Sequence, residues 1–152
     1  MSNQEYSFDG TIDDNKSTYE IDLIQKVNKI SNDMYHDIKN LDKYSLSTSK
    51  QVLEILIGNA CLGQNIMPIK LGREKVGEVI NHDWLMKHFM EAADEVIDYL
   101  DEWEYRRLVE LVMICIPELK ESVLSRGMNS ENEEIREVVE DFKDCKELQK
   151  NN

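Results

Sequence analysis

Proline occurs twice and glycine six times in 152 residues. So few turn-makers argue against a turn-rich β fold and for helices. The longest apolar run falls short of the roughly eighteen residues that a membrane-spanning helix needs. The start, Met1-Ser-Asn-Gln-Glu-Tyr-Ser7, has neither the basic nor the apolar stretch of a signal peptide. Cysteine occurs three times, at Cys61, Cys115 and Cys145. An odd, widely spaced set points to reduced thiols and so to a cytoplasmic location.

Chemistry-bearing patterns are equally scarce. Of His36, His82 and His88, only His36 has a carboxylate three positions earlier, Asp33. Di-metal sites in helical bundles need facing Glu-x-x-His pairs, so a dedicated transition-metal site is not expected. There is no His-Glu-x-x-His, no Cys-x-x-Cys and no Gly-x-Ser-x-Gly. Gly63, Gly72 and Gly77 form neither a phosphate loop nor a dinucleotide fingerprint. The expectation is a chain with no cofactor, no metal and no catalytic residues. Basic side chains number 18 against 31 acidic, a net charge of −13. Such a surface repels nucleic acid and anionic membranes and suits a basic protein partner.

What is present is helical periodicity. Residues 1–16 read as a polar tail, 17–147 as a single helical domain and 148–152 as a short polar tail. Ser17-Thr-Tyr-Glu20 opens a first helix whose apolar face, Ile24, Val27, Ile30, Met34, Ile38 and Leu41, runs to Leu41. A second helix, about 48–63, is apolar on most of its circumference, and Gly58 and Ala60 would admit a close neighbour. Residues 64–72, with Pro68 and Gly72, read as a loop, and 73–80 as a short helical turn or helix. A helix from about Trp84 to Leu100 follows, capped by Asn81 or Asp83. Asp101 caps the next helix, with Glu104 completing a capping box. Tyr105, Leu108, Leu111, Val112 and Cys115 give its stripe, and Pro117 ends it. A short helix then runs to Ser125 with Gly127 as its C′ residue, and Ser130-Glu-Asn-Glu133 opens a last helix over 131–147. The fold class is all-α: a compact bundle of six to seven helices, with HEAT-like packing open to the last three.

Candidate site residues lie around the fourth and fifth of these segments. Between His88 and Arg106 stand seven acids and no base. Glu91, Glu95, Asp98 and Glu102 recur at four, three and four, and would share one face if the helix were continuous. With Asp101 and Trp103 they form the candidate partner-binding set, although a merely solvated face would look the same. Trp84 and Trp103 each read as core or as an interface anchor. Arg106 and Arg107 flank the apolar stripe and need carboxylates. Glu102, Glu110 and acids of the preceding helix are the candidates, in a structural ion pair joining two helices. A second acidic set, from Glu133 to Asp144, is interleaved with Arg136 and Lys143 and reads as solvated.

Leu71-Gly-Arg73, Trp84-Leu85, Asp101-Glu-Trp-Glu-Tyr-Arg-Arg-Leu108, Pro117-Glu-Leu119, Arg126-Gly127, Ser130, Glu134-Ile-Arg-Glu137 and Glu140-Asp-Phe142 carry a resemblance. Across roughly residues 45–142 the chain resembles small helical bacterial immunity proteins of polymorphic or contact-dependent toxin systems. The resemblance implies a non-enzymatic protein that binds one cognate toxin domain, often a basic nuclease, and neutralises it. It carries over no catalytic motif. The alternatives are a HEAT-like adaptor or regulatory subunit with a resident partner, and an enzyme built from scattered carboxylates around a metal.

Overall fold

The structure is a computed structural model and describes residues 16–146. Apart from Lys16, the two expected tails lie outside those residues.

Helix α1 (Thr18–Ile30) starts where Ser17 accepts the Glu20 N–H in its side chain. It turns Leu23 and Val27 fully inward and ends at Ile30, eleven residues before the end that its apolar spacing suggested. Ser31 is extended and Asp33 is left-handed, with φ 59°. Ser, Asn and Asp in succession compete for backbone hydrogen bonds and break helices. Here the Asn28 side chain accepts the Tyr35 N–H at 2.8 Å. The apolar residues Met34, Ile38 and Leu41 are buried as expected, but from a 3-10 segment, Met34–Lys43.

Helix α2 (Leu46–Cys61) is capped by Ser45 and buries Val52, Leu53, Leu56, Ile57, Ala60 and Cys61. Ser49, also fully buried, satisfies its hydroxyl on the Leu41 carbonyl at 2.6 Å. Residues 64–72 are not a loop. Asn65 caps helix α3 (Ile66–Glu74), and Pro68 sits in its first turn, where no N–H donor is needed. Gly72 lies against α2 so closely that a Cβ would stand 2.9 Å from the Ala60 nitrogen and the Leu56 oxygen. A single π turn, Lys75–Val79, follows.

Helix α4 (His82–Val96) is capped by Asn81, and α5 (Glu102–Cys115) by Asp101, which accepts both the Trp103 and Glu104 N–H groups at 3.0 Å. After a 3-10 turn at Pro117–Leu119 come α6 (Lys120–Ser125) and α7 (Glu133–Phe142). The α7 cap is Asn132 rather than Ser130, whose hydroxyl instead accepts the Asn132 N–H. The fold is all-α, with seven α-helices and no strand among the described residues.

One apolar core runs from Leu23 to Phe142. Helix α2 is its centre and packs on α1, α3, α4 and α5, while α6 and α7 pack chiefly on α5. No helix among the described residues is long and apolar enough to cross a membrane.

Candidate functional site

The acidic residues do not share one helical face. Helix α4 stops at Val96, and Ile97 is extended and buried, at φ −90° and ψ 133°. The turn after it is built from the candidate carboxylates themselves. Asp98 accepts the Leu100 N–H in its side chain at 2.9 Å, and its carbonyl accepts the Asp101 N–H at 3.0 Å. Glu104 accepts the Asp98 N–H at 2.9 Å, reaching past the cap residue that its box spacing indicated. Glu91 and Glu95 therefore stand on α4, Asp98 in the turn, and Asp101 and Glu102 at the start of α5.

Their charges are unequally compensated. Glu91 pairs with Lys50 of α2 at 3.1 Å. Glu102 lies 3.5 Å from Arg106 on its own helix. Glu95, Asp98 and Asp101 have no ion-pair partner among the described residues. Trp103 is 51% exposed and Leu100, on the same turn, 68%. Trp84, by contrast, is half-buried against the core with its ring tilted over His88.

The turn is fastened to the loop between α6 and α7. Asn132 donates to the Leu100 carbonyl at 3.1 Å. Arg126 places two nitrogens on Asp94 at 3.0 and 2.8 Å, and Tyr99 donates to the same carboxylate at 2.5 Å. Burial alone would raise the Asp94 pKa, but the hydrogen bonds from Arg126 and Tyr99 outweigh it and leave it below the usual carboxylate value. Tyr105, fully buried, donates to the Val123 carbonyl at 2.8 Å, and burial pushes its phenol up to about 12. The same loop exposes Met128. The composite surface is thus a turn and a loop presenting apolar side chains beside uncompensated carboxylates.

Both arginines sit in ion pairs, but not with α4. Arg106 reaches Asp141 of α7 at 3.0 Å and lies over the Phe142 ring. Arg107 and Arg73 of α3 share one Glu110 oxygen, each at 2.9 Å. The Nε atoms of Arg73 and Arg107 are buried without a hydrogen-bond partner.

Sequence reasoning missed a second feature. A trough of about 820 Å³ runs along α1 and α2. Tyr19, Asp22, Lys26 and Ile30 form one wall. Glu54, Ile55, Gly58 and Leu62 of α2 line the floor, with Val96 of α4 beside Gly58. Gly58, read as a point of close helix contact, is not one. A Cβ there would meet nothing nearer than the Leu62 side chain at 3.4 Å. The available signal was this glycine in the last turn of a largely apolar helix. A smaller cavity of about 220 Å³ between α3 and α5 mixes Lys70 and Arg73 with Glu74 and Glu78.

Among the described residues no three His, Cys, Asp or Glu side chains converge as metal ligands would. Cys61 is buried, which pushes its thiol well above the usual value, and none of the three cysteines is cross-linked. No protein family, curated protein or solved structure matches the chain.

Proposed function

We propose that this chain is a non-enzymatic, cytoplasmic binding protein that captures a basic protein through the α4–α5 turn. The partner in this reading is a toxin domain, and the chain is its immunity protein. The observation that carries the binding role is the half-exposed Trp103 beside Leu100, with Glu95, Asp98 and Asp101 lacking bases. An exposed tryptophan supplies contact area at low entropic cost, and unpaired carboxylates steer a cationic partner and fix its register. The toxin assignment rests on the resemblance carried by Asp101-Glu-Trp-Glu-Tyr-Arg-Arg-Leu108.

The test is affinity capture of the tagged chain from its native extract in moderate salt, with Trp103→Ala and Glu95→Lys variants alongside. A basic toxin fragment recovered in near-equal amount, and lost in both variants, is the expected result. Recovery undiminished in both variants would sink the junction as the binding surface. A housekeeping complex in place of a toxin would favour the adaptor reading, which the trough along α1 and α2 also suits.

A further inference from the structure

Five glycines lie among the described residues; Gly63, past the end of α2, has open space where a Cβ would stand, and the other four lie in helices or against neighbours. At Gly72, Gly77 and Gly127 it would stand within 2.9 Å of a neighbouring atom, so packing explains the residue. At Gly58 it would meet only side chains at ordinary van der Waals range, Leu62 at 3.4 Å and Val96 at 3.9 Å, and the backbone there has no left-handed φ. A glycine in a helix interior costs about 0.5–1 kcal/mol relative to alanine. At Gly58 nothing within the fold repays that cost, and the residue forms the floor of the trough.

A second observation lies one turn away. Glu54 lines the trough, is half-buried, and has no charged or hydrogen-bonding partner among the described residues. Among the described residues the only ammonium lining the trough, that of Lys26, is 3.0 Å from Asp22 on its own helix. An unpaired carboxylate on an apolar floor calls for a cation from outside. The floor from Gln51 to Leu62 is about 16 Å long at the helical rise, or three turns. Apolar surface then continues past its end, where Leu62, Ile66 and Met67 are each about half exposed. That extent exceeds a small molecule's footprint and matches a helix.

We propose that the trough receives an amphipathic helix of a partner protein, its backbone close to Gly58 and a lysine or arginine beside its apolar stripe meeting Glu54. Apolar anchors at helical spacing would fill the space between Ile30, Ile55 and Val96, as in helix-in-groove recognition. This inference does not depend on the turn at Trp103, since none of the residues proposed there lines the trough.

The test is a titration of the isotope-labelled chain with a 16-residue amphipathic peptide of leucine and lysine at helical spacing. A twin peptide with glutamate for lysine is the control. Backbone amide shifts locate the binding. Saturable shifts at Tyr19, Glu54, Gly58 and Leu62 are expected with the lysine peptide. Binding should weaken roughly ten-fold or more, the scale of a lost close charge pair, with the twin and with Glu54→Lys. Gly58→Leu, a good helix former that fills the floor, should also weaken it while leaving the circular dichroism spectrum unchanged. Shifts confined to Glu95–Trp103, unchanged affinity in either variant, or equal binding of the twin would overturn the proposal. Shifts at the same amides that depend on protein concentration alone would identify a second copy as the occupant and overturn it too.

Discussion

Gly127→Ala tests how rigidly the loop beside the candidate surface is packed. A Cβ at Gly127 would lie 2.6 Å from Tyr105 Cε2, 2.7 Å from its hydroxyl and 2.8 Å from Cζ. The ring cannot swing away easily. It is fully buried, its hydroxyl is bonded to the Val123 carbonyl, and its edge meets Tyr99 at 5.8 Å between centroids. Overpacking a filled core costs about 1–3 kcal/mol. Losing the tyrosine hydrogen bond, if the ring yields, adds about 1 kcal/mol. The sum is about 2–4 kcal/mol, which at a urea m-value of about 2 kcal/mol/M lowers the midpoint by about 1–2 M. The assay is urea unfolding followed by tryptophan fluorescence, with Gly63→Ala as the control, because a Cβ at Gly63 meets nothing within 4 Å. In a Tyr105→Leu background the added cost of Gly127→Ala should largely vanish, since the atoms it strikes are gone. Equal midpoints for Gly127→Ala and Gly63→Ala would refute the reasoning.

The other expectations are simpler. Gly58→Ala should raise stability by about 0.5–1 kcal/mol, read as a higher thermal midpoint, because helix propensity improves without a clash. Asp94 has its pKa lowered in the folded chain, so its ion pair stabilises above the usual carboxylate value of about 3.9, and that contribution is lost as pH falls through the folded value. Asp94→Asn should therefore be less stable than the parent at pH 7 and converge on it in acid; a constant difference down to pH 2 would contradict this. Lys120 donates to the Lys143 carbonyl at 2.8 Å and to that of Cys145, capping the end of α7. Lys120→Met should speed hydrogen exchange of amides 142–145 and leave α5 unchanged.

Much of the helical pattern was legible. Ser17, Asn81 and Asp101 cap where their side chains allow, and α2 and α5 bury most of the residues their patterns select, with Ile55 and Cys115 only partly covered and Leu62 about half exposed. The failures share a cause. An apolar spacing that fits a helix also fits a 3-10 segment that re-enters the core, so Met34, Ile38 and Leu41 were placed correctly on the wrong element. Pro68 read as a breaker because its distance from a cap was unknown until Asn65 was seen to cap α3. Gly127 was assigned to the end of α6 for its conformational freedom, yet its backbone is not left-handed; the nearness of the Tyr105 ring is the reason it is glycine. At the candidate surface, the four carboxylates would share a face only on a continuous helix, and the spacing does not show that α4 breaks at Ile97. No local signal exposes Leu100 or Met128, because exposure there depends on how the turn meets the α6–α7 loop.

The two-centre packing has a consequence for synthesis. Helix α2 gathers partners from both sides of itself in the chain, and α5 is the last of them. As the chain emerges from the ribosome, α1 to α4 would hold an incomplete core, open where α5 belongs, until residue 115 is clear. The segment that follows, α6 and α7, then docks on a surface already in place. Such a segment is suited to open and close as a unit while the rest stays folded. Because Asn132 of that segment holds the Leu100 carbonyl in the α4–α5 turn and Arg126 holds Asp94 near the end of α4, each opening would free the turn as well. The proposed binding surface would thus mature after the α1–α5 core and loosen before it.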